Sequence, residues 1–496
     1  MKRLCFLILI LSNIYTLSAQ PKNIIFILAD DHRYDAMGFI HKFSGLETPS
    51  LDAMAMNGAH ILNAFVSTSL CSPSRASILT GQYAHTHTIV DNQAPLPKGL
   101  HFFPQYLQKA GYKTAFLGKW HMGNTDDAPQ PGFDYWLSFK GQGVYYNPIL
   151  NINGRQVIHH DSIHISDLLT KYAIEWMNKQ NRTKPFFLYL SHKAVHAMFE
   201  PAQRHVGKYA DMEINYPASM YLTATPSSPM WGPVSPEVKK LVANKEGMTE
   251  WVKKQRYSWH GVDYMYHGLL DFNTFYRRYC ETLLSVDESV GKINQWLVEN
   301  HLDKNTLVIY MGDNGFSFGE RGLIDKRHAY EESMRVPLLV KCPGMIKGNT
   351  QISQIIQNID IAPTILEYAG IKTPTQMQGK SFLRILNTTN VSAWRNRAFY
   401  EYYWEYDFPQ TPTMFAVRTD RYKYIYNYGV WDTNELYDLQ SDPEEVNNLI
   451  KDPNYQEMAR DLRKELFDWL ENTGGEQIPV KRPLNRRGDH IYKGEY

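Results

Sequence analysis

Cysteine is scarce in this chain. Among 496 residues there are four, Cys5, Cys71, Cys280 and Cys342. None forms a Cys-x-x-Cys pair, which excludes a disulfide scaffold and leaves no zinc or redox-dithiol signature. Net charge is scarce too: 52 Lys and Arg against 51 Asp and Glu leave +1. So balanced a chain has no built-in field for nucleic acid phosphates or an anionic membrane, so no nucleic acid partner is expected. No later apolar run reaches the roughly 20 residues of a membrane span, so no stable membrane insertion is expected either. Internal repeats and low-complexity tracts are absent. What is present is a globular composition, 43% hydrophobic and 21% charged, with 13% aromatic residues. At about 150 residues per domain the length predicts two to four domains.

The first 19 residues read as an address. Lys2 and Arg3 precede an apolar run from Leu4 to Leu11, and Ser18-Ala19 supplies small residues before Gln20. This is the pattern of a secretory signal peptide, so export to the periplasm or medium is predicted. Cys5 leaves with it. Three thiols then remain in an oxidising compartment, an odd number that needs an explanation.

From Asn23 the pattern is α/β. Asn23–Ala29 is an almost unbroken apolar run, as in a strand buried on both faces of a parallel sheet. Similar runs at Lys113–Leu117, Pro185–Leu190, Leu307–Met311 and Val336–Val340 alternate with helix-like segments such as Phe103–Ala110 and Ile165–Lys179. The alternation predicts a large, mostly parallel central sheet flanked by helices over residues 20–398, with an insertion at about 209–279. From about 399 the rhythm changes. Phe415–Thr419, Tyr422–Tyr426 and Glu435–Leu439 predict a small antiparallel sheet. Tyr455–Leu470, stopped by Gly474-Gly475, predicts a helix packed on it. Residues 399–475 thus form a C-terminal antiparallel α+β unit, and 476–496 a polar tail.

Sites in such sheets form beyond the carboxyl ends of the strands, so the polar clusters there carry the functional reading. Asp30-Asp31 follows the first strand and Asp313-Asn314 follows Leu307–Met311. Either pair alone is commonly a cap or a turn. Converging at one sheet edge, four oxygen side chains suit a hard divalent cation, Ca²⁺ or Mg²⁺, over zinc. Cys71-Ser72-Pro73-Ser74-Arg75 through Leu79-Thr80-Gly81 has proline for a first helical turn and glycine for the stop. Cys71 then sits at a helix N-terminus, where free N–H groups attract an anion, and Arg75 returns to the same face. Gly118-Lys119-Trp120-His121 and Ser191-His192-Lys193-Ala194-Val195-His196 follow two further strands.

The Cys71–Gly81 segment closely resembles the type I sulfatase signature, Cys-x-Pro-Ser-Arg followed by Leu-Thr-Gly. The resemblance extends to Gly118–Gly123, to His196-Ala197-Met198-Phe199 (the family usually has His-x-Pro-Phe), to Gly319–Arg327, and to Glu435–Leu439 with Asp442–Glu445. It runs from about residue 22 to about 470. It implies an alkaline phosphatase-like fold and a cysteine oxidised to formylglycine, whose hydrate is the nucleophile. This would account for one of the odd thiols. It further implies one Ca²⁺ held by Asp30, Asp31, Asp313, Asn314 and residue 71. Carried over residue by residue, Arg75 supports the nucleophile, Lys119 and Lys326 bind sulfate, His121 contacts the diol and His196 serves the leaving group. The implied partners are a sulfated carbohydrate and a formylglycine-generating maturation enzyme. Phosphate or phosphonate monoester hydrolysis on the same fold, and a non-catalytic sulfoglycan-binding protein, are the alternatives. Intact Cys71, Arg75, Lys119, His121, His196 and Lys326 tell against the second. The insertion is rich in rings, Trp251, Tyr257, Trp259, His260, Tyr264, Tyr266, His267 and Phe275. They either stack on sugars or pack domain on domain. Glu401–Glu405 is a second candidate wall of the pocket.

Overall fold

A computed structural model describes residues 22–123, 126–223, 247–264, 271–388, 393–429 and 432–477. The segment read as a signal peptide, nearly all of the tail, and Tyr266 and His267 lie outside these residues.

Ten strands build the central sheet: β1 (Asn23–Ala29), β2 (Ala59–Phe65), β3 (Lys113–Lys119), β4 (Tyr135–Phe139), β5 (Ile149–Ile152), β6 (Arg155–Ile158), β7 (Phe186–Ser191), β8 (Thr306–Gly312), β11 (Leu338–Lys341) and β12 (Thr350–Gln357). Between β8 and β11 lies the two-stranded pair of β9 (Ser317–Phe318) and β10 (Ile324–Asp325). Across the large sheet the order is β12-β2-β11-β8-β1-β7-β3-β4-β5-β6. The central strands β8, β1, β7, β3 and β4 are mutually parallel. Val336–Val340, which reads as one more parallel strand, instead supplies β11, antiparallel to both β2 and β8. A buried apolar run carries no sign of direction.

Side chains of β1 alternate between the two faces. Ile24, Phe26 and Leu28 join one core with Leu307, Ile309 and Met311, while Ile25, Ile27 and Ala29 join the other with Val308 and Tyr310. The second core is closed by helices Ile165–Asn178 and Phe272–Glu299. The latter starts where the Asp271 carboxylate accepts the Thr274 N–H at 3.0 Å, an N-cap bond.

The C-terminal sheet is antiparallel, in the order β13 (Ala398–Tyr402), β14 (Met414–Arg418), β15 (Tyr422–Asn427) and β16 (Glu435–Asp438). Its two faces have different duties. Phe415, Val417, Tyr424 and Leu436 pack on Leu462, Leu466 and Trp469 of helix Gln456–Thr473. Tyr400, Tyr402, Met414 and Ala416 are part of the main core. Helix Gln456–Thr473 stops at Gly474 in the left-handed region, φ 78°.

Candidate active site

The order β8-β1-β7-β3 brings four strand ends side by side, and the polar clusters read from the sequence follow those ends. Cys71 opens a helix, Cys71–Thr80, entered from extended Leu70 and closed by Gly81 at φ 66°. Its thiol lies 3.4 Å from Asp30 Oδ1. Cys71, Arg75, Asp30, Asp31, Asp313, Asn314, Lys119, His121 and Lys326 are all buried.

One oxygen each of Asp30, Asp31 and Asp313 lie within 4.8 Å of one another. Asn314 completes the group: its Nδ2 donates to Asp31 Oδ1 at 2.7 Å and to Gly315 O at 2.8 Å. That orientation leaves Asn314 Oδ1 buried with no hydrogen-bond partner. Three carboxylates converging beside an orphaned amide oxygen fit a hard cation.

The electrostatics point the same way. Burial pushes Asp31 up to about 7, with Asp30, Asp313 and Asp325 adding to the rise and Lys326 opposing it. Asp313 is also raised, chiefly by burial and then by Asp30. Burial alone would raise Asp30, but Lys119, His196, Arg75 and Lys326 hold it well below the usual carboxylate range. Burial, then Asp30, pushes the Cys71 thiol up to about 12. As a thiol it is almost entirely protonated near neutrality and hence a weak nucleophile.

Two lysines complete the pocket. Lys119 Nζ donates to Asp30 Oδ2 and, at 2.5 Å, to Gln142 Oε1. Lys326 Nζ donates to both Asp31 oxygens, at 2.5 and 2.6 Å. Burial would lower the lysine, but Asp31 raises it well above its ordinary value, so it is charged. Arg75 is differently engaged from a free anion fork. Its Nε donates to Asp313 Oδ2 at 2.9 Å, and its Nη1 donates to Lys119 O and Ser191 Oγ, each at 2.6 Å. It braces a carboxylate and two strand ends.

The histidines separate by environment. His196 Nε2 is 3.9 Å from Asp31 Oδ2, and its Nδ1 is 2.5 Å from Ala197 O, which can only accept and so fixes the proton on Nδ1. Burial, then Lys326 and Lys119, hold its pKa well below the ordinary value, and it is neutral. His121 adopts φ 54°, in the left-handed region, so the chain turns directly after β3. Among the described residues its buried Nδ1 has no hydrogen-bond partner. His192 bonds Ser289 Oγ at 3.1 Å, as a scaffold residue does.

Gln142, Ser191 and Tyr145 were not legible as site residues. Tyr145 donates to His196 O at 2.6 Å. Gln142 lies between two glycines at positive φ, Gly141 and Gly143, the one local sign that its backbone approaches something closely. Of the insertion's rings, Phe275 is core and Trp251 is buried against Tyr330 at 6.1 Å, domain packing. Tyr257 and Tyr264 are 48% and 46% exposed.

A carboxylate cluster, two buried ammonium groups and a cysteine at a helix N-terminus stand together beyond the strand ends, an arrangement that suits the binding of an anionic ester. Residues 22–371 match the sulfatase family model, and residues 319–472 match that of the C-terminal region of N-sulphoglucosamine sulphohydrolase. An N-acetylglucosamine-6-O-sulfatase of Bacteroides thetaiotaomicron is 31% identical, covering 91% of this chain and 86% of that protein. An N-acetylglucosamine-6-sulfatase of Capra hircus is 30% identical, covering 88% and 80%. A solved protein in complex with its substrate D-glucosamine-2-N,6-O-disulfate superposes with a TM-score of 0.78 at 28% identity, covering 94% of this chain and all of that one. The chain belongs to the sulfatase family and is a sulfuric ester hydrolase. A phosphonate monoester hydrolase of Silicibacter pomeroyi shares the fold at a TM-score of 0.73 and 21% identity.

Proposed function

We propose that this chain removes a 6-O-sulfate from glucosamine-type sugars of a sulfated glycan, as an exported enzyme. The names of its relatives support the sugar and the position. The Cys71 environment carries the chemistry: a buried thiol facing Asp30, too weakly acidic to act as it stands, in a pocket lined by cations. Conversion of Cys71 to formylglycine by a maturation enzyme resolves that contradiction, since the aldehyde hydrate supplies an oxygen nucleophile with a second hydroxyl from which the aldehyde can re-form. Asp30, Asp31, Asp313, Asn314 and residue 71 would hold one Ca²⁺, which supplies positive charge to the sulfate oxygens. Its charge would also relieve the crowding that raises Asp31 and Asp313.

The remaining steps belong to the side chains. Lys119 and Lys326 offer ammonium protons to sulfate oxygens from opposite carboxylate anchors, Asp30 and Asp31. Arg75 holds Asp313 and the ends of β3 and β7 in place. The departing sugar oxygen receives its proton on the side of His196 and Lys326. His196 rests neutral with Nε2 open, so it takes up a proton as the anionic ester enters, and Lys326 is already charged. His121, with an unpaired buried nitrogen, accepts the proton released when the second hydroxyl collapses.

Serine in place of residue 71 has one hydroxyl and no route of collapse. Purified Cys71→Ser, given a 6-O-sulfated glucosamine, is expected to take up one sulfate per chain, read as a mass gain on that peptide, and then stop. Multiple turnovers by that variant would contradict the assignment.

A further inference from the structure

The register of the sheet sets two lysines next to each other. Gly118 of β3 pairs with Ser191 of β7, so Lys119 and Lys193 leave adjacent strand ends, one and two residues beyond that pair. Lys119 is neutralised by Asp30. Lys193 is only 4% exposed, and among the described residues no carboxylate or other acceptor lies in hydrogen-bond or ion-pair reach of its ammonium. The ammonium rests over the face of Tyr145, 4.5 Å from the ring centroid. Tyr145 in turn holds the His196 carbonyl.

An ammonium on so buried a side chain, close to a second ammonium and set on a ring with no carboxylate in reach among the described residues, is costly. A cation–π contact returns only part of the hydration that burial removes. The deficit shows in Lys193 itself, lowered to about 8 by burial and then by Lys119, with Asp30, Glu200 and Asp31 opposing from a distance. Lys193 also contributes to holding His196 neutral, so its charge lies close to that imidazole. Of the cations that bear on Asp30, Arg75, Lys119 and Lys326 each have a carboxylate, and Lys193, among the described residues, has none in ion-pair reach. The unbalanced one is left to be met by an anion from outside.

We propose that Lys193 is a substrate-binding residue of the sulfate pocket, its ammonium swinging from Tyr145 to an oxygen of the bound sulfate on the His196 side. This rests on the assignment of Cys71, Lys119 and His196 as that pocket. It explains why the position tolerates a buried charge: the cost in the free enzyme is recovered when the anionic ester arrives, so part of the pocket's affinity is stored in Lys193.

The test uses the matured, calcium-loaded full chain and its Lys193→Met and Lys193→Arg variants, with Lys119→Ala as control. Two quantities are measured, KM for a small aryl sulfate and the competitive inhibition constant of inorganic sulfate. Lys193→Met is expected to raise both together by about tenfold or more, and Lys193→Arg to restore both to within about threefold of wild type. A sulfate inhibition constant unchanged in Lys193→Met, with Lys119→Ala raising it, would overturn the proposal and leave the pocket assignment standing. No change in either variant would overturn both. A merely structural lysine would alter kcat or the thermal midpoint without moving the sulfate constant. Should Lys193→Met fail to fold, a structure of wild-type enzyme soaked in sulfate decides. Nζ at about 3 Å from a sulfate oxygen supports the proposal, and Nζ still seated on Tyr145 with sulfate bound overturns it.

Discussion

His85 shows how far a single imidazole in this chain can be from catalysis and still matter. Its Nδ1 lies 2.8 Å from Glu401 Oε2 and its Nε2 3.2 Å from Thr473 O. Both partners accept, so the ring that satisfies them carries two protons. Burial alone would lower its pKa, but the hydrogen bond and charge of Glu401 carry it above the ordinary 6.5. A histidine raised in the folded state contributes stability that is complete below 6.5 and is lost as pH rises through the folded value. The wild-type thermal midpoint should therefore fall as pH climbs above 6.5, and His85→Gln should flatten that slope. Two parallel curves over the same pH range would show that His85 is not the group responsible. His85 lies outside the strand-end clusters, and its ties to Glu401 and Thr473 are those of a scaffold residue. The motif residues Cys71, Asp30, Asp31, Asp313, Asn314 and Lys119 could be picked out because each follows a strand run or starts a helix, whereas Lys326 came only from the family resemblance of Gly319–Arg327. Gln142 and Lys193 were not legible, because their roles are set by what lies across the pocket, not by what lies beside them in the chain.

At the scale of elements, the junction of β3 and β7 is the tightest part of the site. Gly118 has φ 119°, and a Cβ there would lie 1.8 Å from Ser191 O. That contact cannot be relieved by rotating a side chain; β3 must move away from β7, taking Lys119 with it. Gly118→Ala is expected to destabilise the protein by about 3 kcal/mol or more and to remove activity. Gly111→Ala is the control. It has a comparable φ of 91° but open space around the added methyl, so only the backbone strain of about 1 kcal/mol should appear. Urea unfolding of the two variants separates steric conflict from strain, and equal losses would refute the close-approach reading. The sequence located β1, β3, β7, β8 and the C-terminal strands β14, β15 and β16 to within a few residues, since each is a run of apolar or alternating residues. It missed β2, whose Ala59-His60-Ile61-Leu62-Asn63 mixes polar and apolar residues, and β12, Thr350–Gln357, which is half polar. Both lie toward the sheet edge, where one face is less deeply covered and the apolar signal fades.

At the scale of the whole molecule, the near-zero net charge conceals interior charge that joins the two sheets. Lys423 of β15 is fully buried, and its Nζ reaches Ala329 O at 2.9 Å, Glu331 Oε1 at 2.9 Å and Glu445 Oε1 at 2.7 Å. Glu331 also meets Arg418 of β14 at 3.3 Å. Burial would raise Glu331, but Arg418, Lys423 and Arg335 hold it well below its ordinary value. Glu445 goes the other way, up to about 7, from burial and then the Glu331 charge, against Lys423 and Arg321. Lys423→Met leaves two buried carboxylates with one cation fewer, a change typically costing about 3–5 kcal/mol. Protonation limits that cost. With Lys423 gone, the folded Glu445 binds its proton still more tightly than the unfolded chain does. Stability then falls as pH rises from the ordinary 4.5 through the raised value. The variant should accordingly be far less stable than wild type at pH 8 and much closer to it near pH 5, as read by chemical unfolding at about those two values. Adding Glu445→Gln removes the titrating group, and the double variant should lose the pH dependence and recover stability at pH 8. A Lys423→Met deficit that is the same at both pH values would mean that Lys423 acts through packing between the sheets and not through charge.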